Sequence, residues 1–334
     1  MDENIINNNT DKIKLSVIVP IYNVENYIRK CAESLLAQTC SPDLYEVIFV
    51  NDGTKDRSVD VLKNCVDFEN LKNFHLLEKP NGGLSSARNY GIKNSVGQYF
   101  WCIDSDDWIE TDSIKCLLDL LKDNPDAIYT STLFFNKTDS ESVSDTDISI
   151  NTGSGKQLMG LHPAFMANVY IIRRTFWNEN HFDFYEGILH EDYELMPRVV
   201  YSAISMRICH KPLYHYLQRE GSITQIKNPK RVYDMMKIIN SYSLFLNSKV
   251  HHNDIKLVCA CLSDIVLAFF EVSHNMDKDV LADVNIFCNK NRKLAYILRN
   301  SRKLQSVLFG WFMFLPIKPT NVYSFIHKLK NIKR

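Results

Sequence analysis

The sequence predicts an α/β fold in three layers, a largely parallel sheet with helices on its faces, and three observations carry that expectation. Short apolar runs alternate with helix-period segments four times between Leu15 and Leu121, the signature of repeated strand and crossover-helix units. The first run is β-branched and closed by a proline, as befits a buried strand. The unusual polar residues recur just after the runs, and in such a sheet the ligand lies beyond the carboxyl ends of the strands.

Taken in order, Leu15-Ser16-Val17-Ile18-Val19-Pro20 is the first strand, and Ile28, Cys31, Leu35 and Leu36 share one face of the helix after it. Glu46 to Val50 is the second strand, ending in Asn51-Asp52-Gly53-Thr54, and Val59, Leu62, Cys65 and Val66 mark a second amphipathic helix. Phe74 to Leu77 is the third, followed by Asn81-Gly82-Gly83 and a helix through Ala87 to Lys93. The fourth, Tyr99 to Ile103, runs into Asp104-Ser105-Asp106-Asp107, and Ile114, Leu117, Leu118 and Leu121 give the helix beyond.

With 334 residues, 45% hydrophobic and 23% charged, the chain has room for one large domain with an appendage, or for two domains. Met1 to Lys12 is polar and Asn-rich, without the apolar core of a secretory signal. No run approaches the roughly 18 apolar residues of a membrane-spanning helix. Nine cysteines, an odd number with no Cys-x-x-Cys pair, read as reduced core residues of a cytosolic protein and not as a disulfide or zinc frame. The net charge of zero hides an asymmetry. From Val284 to Arg334 there are eleven Lys or Arg and no Asp or Glu, so the preceding residues carry 28 basic against 39 acidic side chains.

The organising stretch is Asp104-Ser105-Asp106-Asp107. In an extended backbone side chains repeat every two residues, so Asp104 and Asp106 are expected on one side, two hard oxygen ligands at the mouth of a sheet. A small divalent cation that keeps waters and is shared with substrate phosphates suits such a pair. A Ser-Asp-Asp turn before a helix also serves as a cap. Likewise Tyr22 can pack, Asp52 can form a turn in Asn-Asp-Gly, and Arg88 can face solvent. What favours a site is that all of them fall at one edge.

Val17-Ile18-Val19-Pro20-Ile21-Tyr22-Asn23, Val50-Asn51-Asp52-Gly53-Thr54, Ala87-Arg88-Asn89-Tyr90-Gly91 and Asp104-Ser105-Asp106-Asp107 resemble, in order and spacing, the successive signatures of family 2 glycosyltransferases. The resemblance is strong over residues 14 to about 125 and moderate over 186 to 224. It implies the GT-A fold, with a mixed, mostly parallel sheet and a nucleotide-sugar site. By the same resemblance Pro20, Tyr22 and Asp52 hold the base, Arg88 helps secure the nucleotide, Asp104 contacts ribose or metal, and Asp106 binds Mg or Mn. Glu191-Asp192 matches a Glu-Asp pair of the family, which makes Asp192 the general base. Arg219-Glu220-Gly221-Ser222 resembles an Arg-x-x-Ser turn closing over the diphosphate, which gives Arg219 and Ser222 as donor-binding residues.

Beyond the fourth strand, Asp126 to Phe135 reads as a further strand and 136 to 158 as a polar loop near the acceptor. The aromatic residues of 159 to 189 read mostly as core. His190-Glu191-Asp192-Tyr193-Glu194 opens a helix with Leu195, Met196, Val199 and Val200 on its apolar face, and Pro212 to Tyr216 is a strand. His210 or His215 is a second-rank candidate for reaching the metal. Residues 228 to 275 are helical, and the basic tail brackets Val307 to Pro316, an aromatic, apolar run suited to an anionic membrane surface. The expected domains are a disordered segment 1–12, a catalytic domain 13–225 with donor half 13–125 and acceptor half 126–225, and a helical region 226–334 with the basic tail.

The function expected is metal-dependent, inverting transfer of a sugar from a nucleotide diphosphate donor, UDP-linked by preference, to a hydroxyl of a glycan or lipid-linked acceptor in bacterial surface polysaccharide synthesis. The protein is expected in the cytoplasm, peripheral on the inner face of the cell membrane through its tail, with no nucleic-acid partner. A nucleotidyltransferase of similar layout and an inactive sugar-binding relative stand as alternatives.

Overall fold

The computed structural model describes residues 13–135, 141–143, 148–219, 227–313 and 315–332. The chain divides into two compact units, Met1–Gly187 with Ser202–Glu220 and Ile188–Tyr201 with Gly221–Arg334.

The first unit is built on a mixed sheet. Its strands are β1 (Leu15–Ile21), β2 (Tyr45–Asn51), β3 (Phe74–Glu78), β4 (Tyr99–Cys102), β5 (Trp108–Ile109), β6 (Ala127–Phe135), β7 (Glu141–Val143), β8 (Thr152–Gly153), β9 (Tyr170–Arg173) and β10 (Met206–Leu217). The order across the sheet is β3-β2-β1-β4-β9-β6-β10-β5, with β7 on β6 and β8 on β10. The first four pair in parallel; β9 runs antiparallel between β4 and β6. β10 is parallel to β6 and antiparallel to β5.

The helices of this unit are α1 (Ile28–Leu36), α2 (Ser58–Lys63), α3 (Leu84–Lys93), α4 (Ser113–Leu121), α5 (Gly155–Met159) and α6 (Arg174–Glu179). β1 is buried along its whole length, because helices cover both its faces. Val17, Val19 and Ile21 join Phe49, Tyr99 and Trp101 in one core with Ile28, Cys31 and Leu35 of α1, Leu62 of α2 and Leu117 of α4. On the other face Gly91 of α3 lies so close to the sheet that a Cβ there would strike Ile18 Cγ2. A glycine inside a helix costs about 1 kcal/mol against alanine, and here it lets α3 settle directly on β1.

These elements bear out the α/β expectation over the first four strands. Three features differ from the sequence reading. The stretch 136 to 158, expected as a loop, contributes β7, β8 and α5 among its described residues; α5 starts with a capping box, Ser154 with Gln157. The aromatic stretch, where the sequence marks no regular element, holds β9 and α6, while Tyr170, Trp177, Phe182 and Phe184 are buried as the core reading expects. Asp104 to Asp107 form a turn, not an extension of β4, with Asp107 N donating to Asp104 O at 3.1 Å, so strand alternation is not what sets the aspartates' directions.

The second unit is helical: α7 (Glu191–Ser202), α8 (Pro229–Ser248), α9 (Ile255–His274), α10 (Lys278–Lys290), α11 (Lys293–Arg299), α12 (Leu304–Phe312) and α13 (Pro319–Ile332). Val232, Met235, Ile239, Leu262, Ile265, Val266 and Phe269 are buried, which agrees with the helical stripes read from the sequence. Among the described residues no helix is long and apolar enough to cross a membrane.

Candidate functional site

The carboxyl edge of β1, β2 and β4 gathers the expected donor residues of the first unit. β1 ends at Ile21, Tyr22 is 44% exposed just beyond it, and Asn23 takes a left-handed φ of 54°. Asn23 N donates to Thr54 Oγ1 at 2.8 Å, which joins the loops after β1 and β2. Asp56 Oδ2 accepts from Glu25 N at 2.9 Å and its Oδ1 from Ser58 N at 3.1 Å. Burial works the other way, yet hydrogen bonds from Ser58 and Thr54 hold the Asp56 carboxyl below its ordinary range.

Asp52, at the end of β2, is buried and organises the turn before α3. Its carboxylate accepts from Lys79 Nζ at 2.5 Å, Asn81 Nδ2 at 3.2 Å, Gly82 N at 2.9 Å and Gly83 N at 2.8 Å. Gly83 adopts φ 87° ahead of α3, a conformation that favours glycine. The sequence reading marks Asn81 only as part of a turn and does not mark Lys79, since their partner Asp52 lies 29 and 27 residues away.

Arg88, on α3, is only 3% exposed. Its Nη2 donates to Asp104 Oδ1 at 2.7 Å, and its guanidinium lies 5.2 Å from the centroid of the Phe184 ring. Asn89 fixes the same region by pairing its amide with Phe184, Nδ2 to O at 2.9 Å and Oδ1 from N at 3.0 Å.

The aspartate turn is held from the far side by β10. Register shifts around Pro212 in the β6–β10 pairing mark a bulge, a device that re-aims side chains beside a site. Beyond it Tyr214, fully buried, accepts from Asp104 N at 3.2 Å and donates to Asp107 Oδ2. Asp107 Oδ1 accepts from Leu217 N at 2.7 Å. Asp107 thus serves as the clamp between turn and strand. Burial, then the charges of Asp106 and Asp104, push its carboxyl well above the usual range.

Asp106 Oδ2 accepts from Arg219 Nε at 2.6 Å, and that guanidinium lies 4.8 Å over the Tyr27 ring. Burial and the neighbouring Asp104 charge raise the Asp106 carboxyl, with Arg219 opposing them. The second oxygens of Asp104 and Asp106 meet no other side chain among the described residues. Among those residues no group of three or more His, Cys, Asp or Glu forms a metal cage; two carboxylates with the remaining positions left to water and phosphate is the arrangement Mg²⁺ ordinarily takes.

The two histidines weighed for the metal have other partners. His215 Nε2 meets Glu110 Oε1 at 2.7 Å and its ring stacks 5.2 Å from Trp108. His210 Nε2 meets Asn151 Oδ1 at 2.8 Å. Pro20 lies within β1; Ser222 lies outside the described residues.

Asp192 belongs to the second unit, in the first turn of α7 with Glu191 and Glu194, where the helix dipole favours negative charge. Glu191 is buried. The turn is pinned from α8: Arg231 Nε donates to His190 Nε2 at 3.1 Å, Tyr242 Oη donates to Tyr193 O at 2.6 Å, and Leu189 N donates to Asp234 Oδ2 at 3.0 Å. His190 stands at φ 63° with its ring stacked 5.5 Å from Tyr193. Burial and the Arg231 charge depress the imidazole to about 4. Burial and the Asp192 charge push the Tyr193 phenol up to about 12.

Residues 16–185 match the family model described as Glycosyl transferase family 2. The glycosyltransferase GlyA of Streptococcus pneumoniae serotype 4 is 32% identical over 231 residues, a match that spans 65% of this chain and 32% of GlyA. Of solved structures, S. aureus TarS 1-349 in complex with UDP-GlcNAc superposes with a TM-score of 0.75 at 17% identity, over 96% of this chain and 93% of that one. The mannosyltransferase PcManGT from Pyrobaculum calidifontis, in complex with GDP-Man and Mn2+, gives a TM-score of 0.56 at 12% identity, over 93% and 86% of the two chains. The structural likenesses bear out the expected fold, and because the family model spans just over half of the sequence and takes in every signature from β1 to the aspartate turn, the chain belongs to glycosyl transferase family 2.

Proposed function

We propose that this chain transfers a sugar from a UDP-linked donor to a hydroxyl of a glycan or lipid-linked acceptor, with inversion, in surface polysaccharide synthesis. The observation that carries the reading is the turn Asp104 to Asp107 at the carboxyl edge of the parallel strands, with Asp104 held by Arg88, Asp106 by Arg219 and Asp107 by Tyr214. TarS was solved with UDP-GlcNAc and PcManGT with GDP-Man and Mn2+, and both support a nucleotide-sugar donor.

Pro20 and Tyr22, with the turn that Asp52 organises, form the wall for the base. Arg88 acts on the nucleotide through Asp104, and the family resemblance assigns Arg219 and Ser222 to the diphosphate. Crowded carboxylates with a spare oxygen each fit a divalent cation, and Asp106 and Asp104 are the residues that would hold it. Bound there, Mg²⁺ or Mn²⁺ supplies the positive charge that neutralises a departing diphosphate. Asp192 accepts the proton of the attacking hydroxyl, which enters opposite the leaving group in an inverting displacement. The basic tail attaches the protein peripherally to an anionic membrane surface: eleven cations stand there without an acid, each worth about 1 kcal/mol close to such a surface.

The test is turnover of UDP-sugars with Mn²⁺ present. Asp106→Ala should abolish metal-dependent turnover while leaving the protein folded. Full activity in excess chelator removes the metal from the account, and a folded parent that neither transfers nor hydrolyses any nucleotide sugar is an inactive relative.

A further inference from the structure

Helix α12 is apolar on two faces. One is packed: Phe309 is buried, its ring centroid 4.7 Å from Phe270 and 5.9 Å from Tyr323. The other is open. Leu304, Leu308 and Trp311, at helical spacing, are 72%, 46% and 59% exposed, and Phe325 on α13 is 63% exposed. Between the two helices Leu308, Phe312, Ile317, Val322, Phe325 and Ile326 line a groove of about 470 Å³. A helix apolar all round belongs in a core or against lipid, and an exposed patch rimmed by polar groups marks an interaction site.

The surrounding charge says which interaction. Arg302, Lys303 and Lys318 are exposed at the ends of the two helices, and the Arg299 guanidinium lies 4.7 Å over the Trp311 ring. Lys303 also pairs with Asp264 at 2.7 Å. No acid occurs anywhere from Val284 to Arg334. An apolar ridge on a protein partner would account for the groove but not for the exclusion of acids. An anionic bilayer accounts for both, since cations meet headgroups while aromatic and aliphatic side chains reach the acyl boundary.

We propose that α12 and α13 form a membrane-insertion hairpin whose groove receives acyl chains of an anionic bilayer. This rests on the peripheral attachment proposed above and adds penetration to it: charge brings the tail to the surface, and Leu308, Trp311, Phe312 and Phe325 enter below the headgroups.

The experiment uses the full chain and vesicles of phosphatidylglycerol or phosphatidylcholine with acyl chains brominated at defined depths. The Trp311 signal is the difference between the parent and Trp311→Phe, because Trp101, Trp108 and Trp177 are common to both. Acyl bromines in phosphatidylglycerol vesicles should quench that signal. Leu308→Gln with Phe325→Gln should weaken partitioning at least about tenfold, the order expected when large apolar side chains lose burial. Thermal unfolding should not change, since the two side chains are 46% and 63% exposed. Sedimentation with these vesicles that is fully reversed by salt and brings no quenching overturns insertion and leaves surface attachment standing. No sedimentation at low salt overturns both. A solution dimer that the double variant dissolves, with no effect of vesicles, assigns the groove to a second copy of the chain and overturns the proposal.

Discussion

Replacing Tyr214 with Phe tests whether β10 builds the aspartate turn. The hydroxyl accepts from Asp104 N and donates to Asp107 Oδ2 in a fully buried position, so its removal strands a donor and an acceptor together. Leaving a buried polar group unsatisfied costs about 1–3 kcal/mol. Asp107 keeps Leu217 N on its other oxygen, and its carboxyl is already displaced toward protonation by burial and by Asp106 and Asp104, which limits the loss. The expected destabilisation is about 2–4 kcal/mol, seen as a lower urea midpoint at unchanged slope. Nucleotide-sugar affinity should fall as well, because the backbone that presents Asp104 and Asp106 loses its support. A midpoint equivalent to within about 0.5 kcal/mol of the parent, the usual range for a neutral surface change, together with unaltered affinity, would show that Tyr214 does not hold the turn.

Asp192→Asn should keep donor affinity nearly unchanged while transfer falls about 10²- to 10⁴-fold; Glu191→Gln, at a buried position, should do less. Transfer by Asp192→Asn at near the parent rate refutes the base, as does a rate loss matched by lost stability. His190 gives a pH dependence. Its imidazole is held at about 4 in the folded chain against about 6.5 unfolded, so the unfolded state takes up the proton first and acid favours unfolding. Its contribution is present above pH 6.5 and lost as the pH falls toward 4, by about 2–3 kcal/mol. His190→Asn tolerates the left-handed backbone and still offers Arg231 an acceptor, so equilibrium unfolding at several pH values should show a shallower slope; an identical slope refutes the assignment.

The part of the fold legible in the sequence is the part governed by local period. β1 to β4 and the helices between them declare themselves because the buried strands β1, β2 and β4 and the part-exposed edge strand β3 alternate with one-faced helices, and the turn residues Asn51-Asp52-Gly53 and Asn81-Gly82-Gly83 punctuate them. β5 is two residues long, too short for a period to register, and β9 lies in an aromatic-rich stretch and is fixed by pairing with β4 and β6 from distant segments. The capping box of α5 was visible as Ser154-x-x-Gln157 and would have marked that helix. In the site, the aspartates could be read because they fall at one edge with Tyr22, Asp52 and Arg88 and match a family signature. Arg88 and Arg219 are named by the resemblance, but not as partners of Asp104 and Asp106, and Tyr214 is not named at all: Tyr214 meets Asp107 across 107 residues, and Arg219 meets Asp106 across 113. The bulge at Pro212 that aims Tyr214 exists only once β10 pairs with β6.

The central claim is that Asp104 and Asp106 present a metal-assisted nucleotide-sugar site, and calorimetric titration of UDP into the parent and Asp106→Asn, each with Mn²⁺ and with chelator, tests it most directly. The account predicts one UDP bound per chain in the parent with Mn²⁺, and a loss of at least about tenfold in affinity both on chelation and on Asp106→Asn, the order of one charge-assisted interaction. Equal affinity in all four titrations, or no binding of UDP by the folded parent, would contradict it.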